Sequence, residues 1–247
     1  MTSPLPLSAR FALWFSAWSA GATSLDDARD AIVADDAAHD VVGVPQDGAA
    51  AEQSQPLIVA LGLLRGHRAT GAGIALPAPG DPLGLAGPSA FNIEVFDAGE
   101  GVVLEGADLG LVPRRSGAGV VWTCYPAVSL RQVPDPSEAD ALLRQAMLST
   151  TGALAELDVA RWNPDVADDL MALRRSADFV FPESMAPRAV RLASLATRCR
   201  TIVDLAMADD GSCITAAESD ARRAALTPLD HAARRALVAA CAFPWDR

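Results

Sequence analysis

The chain is 247 residues long, carries a formal net charge of −11, and draws all 20 of its basic side chains from arginine. A lysine-free sequence closes Schiff-base pyridoxal phosphate chemistry, the P-loop NTPases and the protein kinases, each of which needs an ammonium group. The acid excess also disfavours nucleic acid and anionic membrane surfaces, whose phosphates the chain would repel.

The first predicted helix covers about residues 8–20, with Phe11, Trp14, Phe15 and Trp18 on one face. Ala20-Gly21-Ala22 imitates a signal-peptidase site, but Ser16 and two tryptophans interrupt the apolar run, so a core-facing helix is the better reading. No stretch approaches the ~20 uninterrupted apolar residues of a membrane span, and the chain is expected in the cytoplasm. Ser24, with Asp27 three residues on, opens a second helix predicted to reach about His39. Val41, Val42 and Val44 read as a short strand, Leu57 to Leu64 as a buried helix, and Gly73 to Leu76 as a second strand. A short helix near Ala90 to Ala98 and strands at Gly101 to Leu104 and Gly119 to Tyr125 complete this half. The expectation is a mixed sheet of three to five strands covered by helices.

After Gln132-Val133-Pro134 the pattern becomes helical. Asp135-Pro136-Ser137-Glu138, Asn163-Pro164, Thr215 to Glu218 and Thr227-Pro228-Leu229-Asp230 each read as a helix start, and a further helix spans about Pro187 to Ala208. A stripe through Leu142, Leu143, Ala146, Met147, Leu154 and Leu157 suggests one helix of about 20 residues. The predicted class is therefore α+β: a mixed α/β layer over 1–132 and an antiparallel helical bundle over 133–247, packed against it as one unit.

The segment Pro77 to Asn92 is a shaped loop, punctuated by prolines and glycines. As a ligand platform it would present Asp81, Ser89 and Asn92 at the end of a strand, with Arg114 and Arg115, placed near a turn, adding a bidentate contact to a small anion. As a structural connection, Asp81 would cap a turn and the prolines would lower unfolded-state entropy. The spacing fits neither the dinucleotide fingerprint nor a phosphate loop, and no cofactor is implied.

Asp35, Asp36, His39 and Asp40 put Asp35 with His39 and Asp36 with Asp40 four apart on the predicted helix and could ligate a divalent metal, with Asp35 and His39 as the metal pair, although such a cluster more often forms a solvated last turn. Cys124, in Trp122-Thr123-Cys124-Tyr125, shares a strand face with Trp122 and reads as core rather than as a reactive thiol. Cys199 and Cys241 lie on apolar helical stripes and read as small buried hydrophobes. Four well-separated cysteines make neither a disulfide framework nor a zinc site.

The residues Pro77 to Asn92, Glu100 to Leu104, Leu109 to Pro113, Leu157-Asp158-Val159-Ala160-Arg161-Trp162 and Thr215 to Ala240 resemble an uncharacterised family of actinobacterial hypothetical proteins. The resemblance implies no activity, ligand or catalytic residue. The functional expectation is a non-catalytic protein-interaction or regulatory protein, binding a protein partner or a small anionic ligand, with a homodimer compatible. The alternative is an enzyme or anion-binding protein with its site at the 77–92 loop.

Overall fold

The computed structural model describes residues 5–46, 53–128, 133–156, 179–208 and 216–242. The protein is α+β and divides into a sheet unit, built on Leu5–Val133 and Val180–Ala186, and a helical unit, built on Pro134–Phe179 and Pro187–Ala240.

The sheet unit contains α1 (Leu7–Ser19), α2 (Leu25–Val33), β1 (His39–Val42), β2 (Gln55–Pro56), α3 (Leu57–Gly66), β3 (Gly71–Ala75), α4 (Ser89–Ala98), β4 (Gly101–Glu105), β5 (Leu109–Ser116) and β6 (Gly119–Pro126). Its six strands follow the order β2-β1-β6-β5-β4-β3. β1 runs parallel to β6, and every other pairing is antiparallel. Six strands exceed the three to five expected; those absent from the sequence reading are the two-residue β2 and β5, which pairs along its whole length with β6, from Leu109 opposite Pro126 to Ser116 opposite Gly119.

Alternation sorts the side chains onto two faces. Trp122 meets Phe11 of α1 at a centroid separation of 5.0 Å on one face. On the other, Val103 and Val112 pack with Phe91 and Val95 of α4. Gly110 of β5 makes room for α4, because a Cβ there would lie 2.5 Å from the Phe91 ring.

Helix α1 is buried around most of its circumference rather than along one face. Its three serines and Arg10 all make hydrogen bonds to neighbouring elements. The Glu100 carboxylate accepts from both the backbone N–H of Ser8 (2.8 Å) and its hydroxyl (2.7 Å), supplying the cap that Pro6 at the N-cap does not. Ser16 exchanges hydrogen bonds with both backbone groups of Ala72, and Ser19 donates to the Ala69 carbonyl.

The second helix stops at Val33, short of the predicted His39. Ala34 adopts φ 49°, and the Val33 carbonyl accepts from the Asp36 N–H and from Arg10. Its start agrees with the sequence, since the Ser24 hydroxyl accepts the Asp27 N–H.

The helical unit contains α5 (Pro136–Glu156), α6 (Pro187–Ala208) and α7 (Ala216–Ala240), with α7 packed on both others. Asp135 caps α5 by accepting from the N–H groups of Ser137 and Glu138, as its sequence predicts. The buried stripe of α5 is Ala139, Leu143, Ala146 and Thr150, whereas Leu142, expected inside, is exposed. Thr227-Pro228 does not start a helix: Pro228 lies inside α7. The Thr227 hydroxyl donates to the Arg223 carbonyl and the buried Thr150 hydroxyl to that of Ala225, the two carbonyls on either side of that of Ala224, whose i+4 N–H the proline removes. The starts predicted at Asn163 and Thr215, and the run Leu157 to Trp162, lie outside the described residues.

Candidate functional site

The 77–92 loop is built from turns that close on themselves. Ala78 and Asp81 exchange backbone hydrogen bonds, Leu76 N–H donates to Leu83 O, and the Asn92 side chain accepts the Gly87 N–H. Leu83 and Gly84 are buried against the outer edge of β3. At Gly84, with φ +83°, an added Cβ would sit 2.6 Å from the Ile74 carbonyl and 2.7 Å from Ala75 Cα. Together with Ser16, which takes the outward groups of Ala72, this segment covers an edge that would otherwise offer unpaired backbone to another chain. Ser89 is exposed in the first turn of α4, and Asp81 is half-buried in its turn.

Arg114 and Arg115 stand on β5, not on a turn, so they point to opposite faces of the sheet. Arg114 pairs with Glu94 of α4 at 2.7 Å, and Arg115 pairs with Asp36 at 2.8 Å. They do not converge on one anion. Of the candidate anion and metal ligands read from the sequence, Asp36, His39 and Arg115 come together.

That meeting is the densest polar constellation among the described residues of the sheet unit. Asp36 Oδ2 accepts from Arg10 at 2.7 Å and from His39 Nε2 at 3.0 Å, and Oδ1 accepts from Arg115 at 2.8 Å. Burial by itself pushes the Asp36 carboxyl up, but the bonds from Arg115, Arg10 and His39 outweigh it and hold the group well below the usual carboxylate range. On the other side of the imidazole, the Trp122 indole N–H donates to His39 Nδ1 at 3.2 Å. An indole nitrogen can only donate, so Nδ1 must be unprotonated and the ring proton must lie on Nε2, towards Asp36. Burial pushes the His39 pKa down, against the opposing pull of Asp36.

The chemistry open to this cluster follows from that tautomer. A general base or metal ligand needs an accessible lone pair; the one on His39 is held by Trp122, and the side chain is 0% exposed. Asp35 is exposed in the turn after α2 and His39 is buried at the start of β1, so the helical pairing expected of them is not formed. No group of three or more candidate metal ligands occurs among the described residues. What the cluster does is join α1, the α2–β1 turn, β1, β5 and β6. Asp36, three residues from His39, stood in the cluster read from the sequence, but Arg10 and Trp122 were invisible as its members because their bonds span 26 and 83 residues.

Cys124 is buried on the Trp122 face, and burial raises its thiol to about 12; Cys199 rises to about 11 for the same reason. Neither is poised as a nucleophile.

Two family profiles match the chain: Rv1486c-like protein, N-terminal domain, over residues 8–139, and Rv1486c-like protein, C-terminal domain, over 137–238. The chain is 28% identical over 277 aligned positions to two proteins of Mycobacterium tuberculosis, one from each of two strains, named Uncharacterized protein MT1533 and Uncharacterized protein Rv1486c. The alignments cover 94% of this chain and 95% of each relative. No solved structure matches. With the N-terminal profile alone spanning more than half of its length, and the C-terminal profile most of the rest, this chain belongs to the Rv1486c-like protein family.

Proposed function

We propose that this protein is a non-catalytic interaction or regulatory protein whose sheet unit recognises a protein partner through the outward face of α4. The observation that carries the reading is that α4 is apolar on both sides. Phe91 and Val95 are buried in the sheet core, while Ile93 and Phe96 are 59% and 40% exposed on the same ten-residue helix. A helix inside a monomer needs only one apolar face, and a second one exposed to water is a feature of interaction surfaces. Support also comes from the internal pairing of Arg114 and Arg115, which leaves neither guanidinium dedicated to an anion. A cytoplasmic setting belongs to the same proposal, supported by Cys124 and Cys199, which are buried as reduced thiols.

The test is native mass spectrometry of the full chain purified gently from its own cells, beside the Ile93→Ser/Phe96→Ser variant. The expected result is a protein complex that the variant fails to retain. A retained small anion or metal with no protein partner, or a complex indifferent to the two substitutions, overturns the proposal.

A further inference from the structure

The cluster around His39 contains a condition that proton uptake must break. The imidazole has two nitrogens and both are committed: Nε2–H to the Asp36 carboxylate and the Nδ1 lone pair to the Trp122 indole. A second proton can enter only at Nδ1, where it would point at an N–H that has nothing to accept it with. Trp122 is itself fully buried and clamped by Phe11, so the indole has no room to turn away without disturbing the core.

The surrounding charges do not rescue the imidazolium. Asp36 favours it, but that carboxylate already serves Arg10 and Arg115, which oppose it. β6 faces the ring with the indole, and its Cys124 thiol stays neutral. Neither residue of β2, Gln55 or Pro56, titrates. On α3, Arg65 lies over the Trp18 ring, 5.1 Å from its centroid. On α2, Asp26, Asp27 and Asp30 are exposed to solvent, and Arg29 pairs with Asp30.

The position of His39 decides what yields. β1 is four residues long, holds the two-residue β2 at the end of the sheet, and is joined to the rest of it by the one parallel pairing among the described strands, with β6. Parallel pairing is slightly weaker per residue than antiparallel pairing, and the β6-β5-β4-β3 portion is antiparallel throughout. We propose that the Asp36–His39–Trp122 chain is an acid-released latch: a proton at His39 Nδ1 breaks the bond to Trp122 and frees the β1–β2 end of the sheet while the antiparallel portion stays folded. The proton comes from solvent, forms an Nδ1–H bond on the imidazole lone pair, and is returned to solvent when the latch closes; no other covalent bond changes. This latch is independent of the α4 surface, because His39 and Phe91 lie on opposite faces of the sheet.

The direction in pH follows from linkage. The folded pKa of His39 lies below its ordinary 6.5, so the unfolded chain or the opened end binds the proton more readily than the latched form. The latch is intact above about pH 6.5 and is released as the pH falls below it.

Amide hydrogen exchange on the full chain at about pH 7 and about pH 5, corrected for intrinsic rates, tests it. Exchange at Val41 and Val42 is expected to accelerate roughly tenfold or more at the lower pH, with Val103 and Leu111 unaffected. No acceleration, or the same acceleration across all strands, overturns the proposal. Nitrogen chemical shifts of the His39 ring give a second readout that needs no variant: an Nε2–H tautomer titrating below the ordinary histidine range is expected. An Nδ1–H tautomer, or titration at or above that range, sinks the latch. In His39→Gln the pH dependence of exchange at β1 should vanish; its persistence would place the sensor elsewhere and overturn the assignment.

Discussion

Replacing Glu100 by alanine removes the acceptor at the start of α1 and leaves its partners behind. Glu100 Oε2 receives two hydrogen bonds from Ser8, whose side chain is buried. Loss of a helix cap costs about 1 kcal/mol. A carboxylate near a helix N-terminus contributes a further ~0.3–1 kcal/mol. The Ser8 hydroxyl, stranded in the core with its acceptor gone, adds about 1–3 kcal/mol. Together Glu100→Ala should destabilise the sheet unit by roughly 3 kcal/mol. Glu100→Gln keeps an acceptor oxygen but not the charge, and should cost about 1 kcal/mol. Ser8→Ala removes the hydroxyl together with the need to satisfy it, so in the double variant the two losses should overlap by about 1 kcal/mol or more. Urea unfolding followed by tryptophan fluorescence reads all four proteins, since Trp18 and Trp122 are buried in this unit. A cost for Glu100→Ala below about 0.5 kcal/mol, or strictly additive single losses, would refute the assignment of Glu100 as the cap of α1.

Gly84→Ala should cost at least about 2 kcal/mol by thermal unfolding, because the residue has φ +83° and the new Cβ would press on the Ile74 carbonyl and Ala75 Cα. Asp36→Asn leaves the Arg10 guanidinium, 8% exposed, without its carboxylate, and a loss of about 3 kcal/mol in denaturant unfolding is expected. The Asp36 pKa is depressed in the fold, so its contribution is complete above the ordinary value of 3.8 and is lost as the pH falls below it. An acid-unfolding curve unchanged between wild type and Asp36→Asn below about pH 4 would contradict this. Finally, Cys124, raised from 9.0 to about 12, should react with iodoacetamide at mildly alkaline pH on the order of a thousandfold more slowly than in the denatured chain, as read by peptide mass spectrometry.

What was legible in the sequence was whatever is decided within a few residues. The Ser24 cap of α2 and the Asp135 cap of α5 are contacts over two or three positions, and both are present as read. Pro228 was misread because a proline after threonine is a good first-turn signal only where tertiary packing is indifferent. Here α7 runs through it, with carbonyls served by Thr227 and by Thr150 of another helix. β5 escaped notice because Leu109–Ser116 contains Gly110, Pro113 and two arginines, and its strand character rests on an eight-residue register with β6. The His39 cluster was half visible: its histidine and one aspartate neighbourhood stood out, but on the wrong element, since only the turn at Ala34 separates a helix-paired His39 from a strand residue. Nothing local marks Arg10, Arg115 or Trp122 as its companions.

Helix α1 shows why those distant polar contacts matter to the fold. A helix that is buried on nearly every side gains little from one rotation about its axis over another, since each would bury a similar apolar surface. Its bonded polar residues remove that degeneracy. At about 100° per residue, Ser8, Ser16 and Ser19 fall within roughly 80° of one another, and Arg10 lies well round from them. The serines fasten to Glu100, Ala72 and Ala69 beside β4 and β3, while Arg10 reaches Val33 and Asp36 at the end of α2. A rotation of one residue would pull a buried hydroxyl or guanidinium off its partner, a cost of about 1–3 kcal/mol for each group stranded. Apolar burial therefore holds α1 inside the unit, and the hydrogen bonds of four polar residues, Ser8, Arg10, Ser16 and Ser19, select its orientation there. The same selection places Phe11 against Trp122, and through Trp122 sets the donor that fixes the His39 tautomer.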